Sequence, residues 1–134
     1  MQGRCSSLLR ERLREILARV SSLDLLDDLV KVLEDLVRSY RPLSIIIAGS
    51  LARGDFIRGL SDIDVLVIVG YSVDKFSRFL LRAVDEVDVE ITVFSLEEVI
   101  ECIERGNEFV IDALVRGCEV YGNLRGVLLR YVKR

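Results

Sequence analysis

The sequence predicts an α/β (α+β) fold, with an N-terminal helical lead-in and strands flanked by helices, on three observations. Two runs rich in β-branched residues, "LSIIIAG" and "DIDVLVIVG", read as strands covered on both faces, because their apolar character is continuous. A third run, "VDVEITVF", alternates, with Asp88, Glu90 and Thr92 on one face and Val89, Ile91 and Val93 on the other. Around these runs, apolar residues recur at helical spacing.

The first helical stripe is Leu8, Leu9, Leu13, Ile16, Leu17 and Val20. Ser21 and Ser22 offer an N-cap to a second helix with Asp24 in its first turn, and Leu26, Leu29, Val30, Leu33, Leu36, Val37 and Tyr40 as its stripe. Pro42 stops that helix. The second stripe is expected in the core; the first is expected either there or in a seam with a partner. Phe76, Phe79, Leu80 and Ala83 predict a helix between the second and third strands. "SLEEVIECIERG" carries a capping box, Ser95 with Glu98, and ends at Gly106. "NEFVIDALVRG" follows with Asn107 as cap and Gly117 as stop, then "CEVYG" as a short strand and "NLRGVLLRYVKR" as a last helix.

A chain of 134 residues fits one domain over 1–134: helices to 41, a core over 43–94 and helices over 95–134. Hydrophobic residues at 51% and charged residues at 31% exclude a disordered chain, and a net charge of −3 supplies no global pull toward nucleic acid or an acidic membrane. Cys5, Cys102 and Cys118 are widely spaced and odd in number, so they read as reduced thiols and not as a disulfide framework or zinc site. Histidine is absent, which removes Ser–His and Cys–His catalysis and any histidine-ligated metal. The charged N-terminus does not read as a signal peptide, and no apolar run approaches the ~20 residues of a membrane span, so a cytoplasmic location is expected.

The chemistry concentrates in "IIIAGSLARGDFIRGLSDIDVLVIV". Period two puts Asp62 and Asp64 on one strand face, where two carboxylates repel and burial worsens the repulsion. A hard divalent cation such as Mg²⁺ compensates this best, and Asp88 or Glu90 from the third strand adds a third carboxylate. Gly49 lets a phosphate approach the backbone, Ser50 opens a short helix, and Arg53 lies one turn on. Singly, each feature is ordinary: Ser61–Asp62 makes a turn before a strand, and Gly49–Ser50 is loop punctuation. Their conjunction is what points to a site.

With Gly49, Ser50, Ala52, Arg53, Gly54, Asp55, Ser61, Asp62, Ile63 and Asp64 in place, the chain resembles the minimal nucleotidyltransferases of the DNA polymerase beta-like nucleotidyltransferase superfamily. The likeness is strongest from Ile45 to Val69. It implies the nucleotidyltransferase fold, with a small mixed sheet, and Mg²⁺ in a two-metal site, with Mn²⁺ as a substitute. The implied donor is a nucleoside triphosphate, ATP first among them. The implied reaction is attack of an acceptor hydroxyl on the α-phosphorus with release of pyrophosphate. By the same resemblance Asp62, Asp64 and Glu90, with Asp88 second, are catalytic metal ligands, and Gly49, Ser50, Arg53 and Ser61 hold the nucleotide. A glutamate at 90, where many small relatives carry aspartate, departs from the pattern. The chain has little room for a substrate domain, so the acceptor is expected on a partner protein, an RNA end or a small molecule, with a homodimer as a further arrangement. The competing function is an antitoxin-like, nucleotide-binding module that engages a helical HEPN-type partner through its first helix with little turnover.

Overall fold

The computed structural model describes residues 2–132, with side chains from residue 7 onward. Cys5 falls outside the described side chains, and residues 133–134 of the expected last helix fall outside the described chain. The chain runs α1 (Gln2–Arg19), α2 (Leu26–Tyr40), β1 (Ser44–Ala48), α3 (Gly49–Arg53), β2 (Ile63–Val69), β3 (Phe79–Val84), β4 (Val87–Ser95), α4 (Leu96–Glu104), α5 (Glu108–Arg116), β5 (Cys118–Tyr121) and α6 (Arg125–Leu128). The five strands form one mixed sheet in the order β3-β4-β2-β1-β5. Only β2 and β4 run parallel; the other neighbours are antiparallel.

Burial follows the pattern of the sequence. Every residue of β1 is buried, as are all of β2 except Asp64, because helices cover both faces of these central strands. On one face Ile45, Ile47, Val65, Val67, Val89 and Val93 pack with Leu9, Leu13, Leu17, Leu29, Leu33 and Leu36 of α1 and α2. On the other, Ile46, Ala48, Leu66 and Ile68 pack with Val99, Ile103, Val110, Ala113 and Leu114 of α4 and α5. The apolar stripe of α1 therefore belongs to the core of its own chain; Leu8, about half exposed, is the exception. That answers the alternative in which this stripe forms a seam with a partner. Truncating a fully buried leucine such as Leu13 or Leu33 costs about 2–5 kcal/mol.

Two expectations are corrected. The segment read as a helix through Phe76, Phe79, Leu80 and Ala83 is a single 3₁₀ turn at Lys75–Ser77 followed by edge strand β3, which forms a hairpin with β4. Its apolar residues fit a helical period by coincidence; pairing along the open side of β4 decides the conformation. Ser22 does not cap a helix either. Its hydroxyl bonds the Val20 carbonyl, a 3₁₀ turn at Leu23–Leu25 intervenes, and Asp27 and Asp28 occupy the first turn of α2. The remaining punctuation is as expected. Ser95 and Glu98 form a reciprocal capping box, and the Asn107 side chain accepts from the Val110 N–H at 3.0 Å. Gly117 lets the chain press against β1, where a Cβ would meet Ile46 Cγ2 at 2.6 Å and the Ile47 carbonyl oxygen at 2.9 Å. Among the described residues, no helix is long and apolar enough to cross a membrane.

Candidate active site

Strand register draws the expected residues into one row across the sheet. Ala48 of β1 pairs with Asp64 of β2, Asp64 with Glu90 of β4, and Glu90 with Leu81 of β3. At about 4.8 Å per strand, Asp64 and Glu90 are immediate neighbours, and Gly49, just past Ala48, adjoins Asp64. Asp88 shares the exposed face of β4 with Glu90, but pairs with Ala83 one step further out, beyond the start of β2. Asp62 lies just before β2 and is exposed, whereas Asp64 is half-buried.

The acids perturb one another. Burial pushes the Asp64 carboxyl up, and the charge of Asp62 adds to the effect; a hydrogen bond with Glu90 and the positive charge of Arg53 pull the other way. Glu90 is also pushed up, first by a hydrogen bond shared with Asp62, then by desolvation and the charges of Asp62 and Asp64. The three side chains are thus within mutual reach, with Asp64 and Glu90 at the centre and Asp62 at the rim. They do not form a ready-made ligand cage: among the described residues, no three acidic, histidine or cysteine side chains converge to that degree. The donor set consists of carboxylate oxygens alone, which suits a hard divalent cation such as Mg²⁺ and does not suit a soft metal.

Gly49 closes the site on the β1 side. Its φ of +65° is left-handed, and a Cβ there would collide with the Asp64 carboxylate. Both requirements select glycine. Ser50 follows in the first turn of α3, and its carbonyl accepts from Gly54 N at 3.0 Å and Asp55 N at 3.1 Å, which ends the helix. Arg53, in the last turn of α3, pairs with Asp112 of α5 at 3.5 Å and with Asp55 at 3.8 Å. Ser61 has a local duty: its hydroxyl accepts the Ile57 N–H at 3.0 Å while its own N–H bonds the Ile57 carbonyl at 2.9 Å, a turn that delivers Asp62 to the start of β2.

Two residues around the site were not singled out from the sequence. Asp112 orients Arg53 from a helix some sixty positions away and also pairs with Arg116 at 3.4 Å. The i,i+4 spacing of Asp112 and Arg116 was visible; the link to Arg53 was not. Arg58 pins the loop before Asp62 to Asp24 at 2.9 Å and to Glu86, in the β3–β4 turn, at 3.2 Å. No local pattern announces such a clamp, because its partners come from both sides of the loop.

A comparison with curated proteins finds no match. The pattern of the nucleotidyltransferase domain matches residues 26–121, which takes in α2, the Gly49–Ser50 turn, Asp62, Asp64, Glu90 and β5. That span is well over half of the chain, and the protein belongs to the nucleotidyltransferase domain family.

Proposed function

We propose that this protein transfers a nucleoside monophosphate from an NTP to an acceptor hydroxyl in a reaction dependent on Mg²⁺. The observation that carries the reading is the row Ala48–Asp64–Glu90, which sets two neighbouring carboxylates beside a glycine bend made to let a bulky group approach. Asp62, Asp64 and Glu90 are the residues that would hold Mg²⁺, or Mn²⁺ in its place; bound there, the cations would neutralise the triphosphate and acidify the acceptor hydroxyl.

The remaining work falls to the chain. The Gly49–Ser50 turn offers backbone N–H groups and a hydroxyl to the phosphate tail, and Arg53, held by Asp112, supplies positive charge from the same side. Ser61 acts through the turn that places Asp62, and its hydroxyl proton would be offered to the nucleotide. The acceptor oxygen forms a bond to the α-phosphorus, the bond from that phosphorus to the bridging oxygen of the β-phosphate breaks, and pyrophosphate leaves. The acceptor proton passes to Glu90 and from there to solvent. The binding-module alternative draws less support, since the helical stripe it would use for docking is largely spent in the core.

The test incubates purified protein and a cognate cell extract with each α-labelled NTP, with and without Mg²⁺, beside an Asp64→Ala variant. Mg²⁺-dependent labelling of a defined acceptor, lost in the variant, is the expected result. Mg²⁺-dependent nucleotide binding without labelling would favour the binding module. Absence of both would sink the proposal.

A further inference from the structure

Strand β3 ends the sheet without the devices that ordinarily blunt an edge. It holds no proline, its register with β4 is unbroken over Phe79–Val84, and Arg82 is its one charge. The Val93 N–H bonds the Arg78 carbonyl at 2.7 Å, which continues the register of Phe79 with Thr92 by one step. Antiparallel bonding alternates, so Leu80, Arg82 and Val84 turn their backbone groups toward β4, while Phe79, Leu81 and Ala83 turn theirs outward. No loop backbone among the described residues bonds those outward groups. The side chains of the same three residues share one face, on which Phe79 and Leu81 are 68% and 64% exposed. An edge with free ladder groups and an apolar strip is a template for another strand.

We propose that the strand it takes is β3 of a second copy of this chain, in antiparallel two-fold pairing that joins the two sheets into one. The first observation that selects this occupant is register. With Leu81 on the axis, facing Leu81 of the second copy, Phe79 faces Ala83, and all three outward residues bond one another across the seam. Each ring then lies beside a small side chain, and Leu80 faces Arg82 on the other side of the sheet. The next two-fold register in one direction sets Arg82 against Arg82, like charges face to face. In the other direction Ala83 meets Ser77, which lies in the 3₁₀ turn outside the strand.

The second observation is charge. Lys75 and Arg78 precede β3, and Asp85 and Glu86 follow it in the turn to β4. Antiparallel pairing brings the basic start of each strand to the acidic end of the other. Arg78 is engaged by Glu98, whereas Lys75 forms no ion pair among the described residues. Asp85 and Glu86 crowd one another: a hydrogen bond with Glu86, and then its charge, pushes the Asp85 carboxyl up, although Arg58 stands beside both. Lys75 of the second copy supplies a further cation to this turn.

The test is the mass of the full chain in solution by sedimentation equilibrium, with amide exchange read residue by residue by NMR. Wild type is expected as a dimer at tens of micromolar. The amides of Phe79, Leu81 and Ala83, which face solvent in a single chain, should exchange slowly, with protection that falls on dilution. Leu81→Lys and Leu81→Glu each set like charges across the axis and should weaken the dimer by about a hundredfold. Mixed in equal amounts, the two variants should dimerise again, because position 81 then carries opposite charges face to face. Leu81 is mostly exposed, so both variants should keep the circular dichroism and melting temperature of the wild-type chain at dilutions where it is monomeric. A wild type that is monomeric at tens of micromolar overturns the proposal, as does a dimer whose three outward amides exchange freely. So does a dimer that survives both substitutions, or one that the mixture fails to restore.

Discussion

Glu119 and Asp64 lie on the same face of the same sheet, toward opposite ends of β1, and their surroundings differ in donors. Glu119, on β5, accepts from the Ser44 hydroxyl at 2.5 Å and from the N–H groups of Leu124 and Arg125 at 2.8 and 3.1 Å, so it ties the start of β1 to the start of α6. Its charge is placed at a helix start and hydrogen-bonded threefold, which is how a fold keeps a partly buried carboxylate. Asp64 has acids for neighbours and a glycine bend where a side chain would have been, and its carboxyl is pushed up. One acid stabilises the fold; the other is held at the fold's expense. Local rules are broken in this way at sites retained for chemistry.

Substitution at the two ends should therefore act in opposite directions. The largest effect is expected at Asp64. A carboxyl whose pKa rises on folding carries a penalty that is absent below the ordinary aspartate range and complete above the raised, folded value. Asp64→Asn removes that charge, so at neutral pH and without divalent cation the melting temperature should hold or rise, while nucleotidyl transfer falls by up to about a thousandfold, the scale of a lost transition-state contact. A clear drop in melting temperature would break the contrast.

Gly49→Ala comes next. The left-handed φ and the collision with Asp64 should lower both properties together, with transfer down by about a hundredfold and stability down by about 1–3 kcal/mol in a urea titration. Glu119→Gln should show the reverse of Asp64→Asn: a loss of about 1–3 kcal/mol as charge-assisted bonds weaken, with transfer per folded molecule unchanged. Equal loss of activity there would place Glu119 in the site. The smallest effect is expected at Arg58→Ala. Its ion pairs with Asp24, Asp85 and Glu86 are solvent-exposed, so the melting temperature should barely move, and the small change should shrink with added salt in parallel melts.

The two ends also differ in how far the sequence alone could be read. Asp62, Asp64, Gly49 and Glu90 were visible because strand periodicity and a glycine turn are local signals, and the period of two already put Glu90 on the polar face of its strand. The Glu119 hub was not visible, since its donors come from β1 and from the start of α6. The same holds for Arg53 with Asp112 and for the Arg58 clamp. β3 was misread because an exposed apolar strand on an edge lacks the alternation that marks a half-buried one, leaving Phe79 and Leu81 to look like part of a helical stripe. The pairing of Glu90 with Leu81 depends on that strand, so only the folded structure brings the two together.

The most direct measurement of the central claim is a pair of thermal melts, wild type and Asp64→Asn, each with and without Mg²⁺ and α,β-methylene ATP. Ligand that binds only the folded chain raises the melting temperature by mass action. The account predicts a rise of several degrees in wild type that requires both Mg²⁺ and nucleotide and disappears in the variant. An equal rise in the two proteins, or none in wild type, would show that these acids do not form the site.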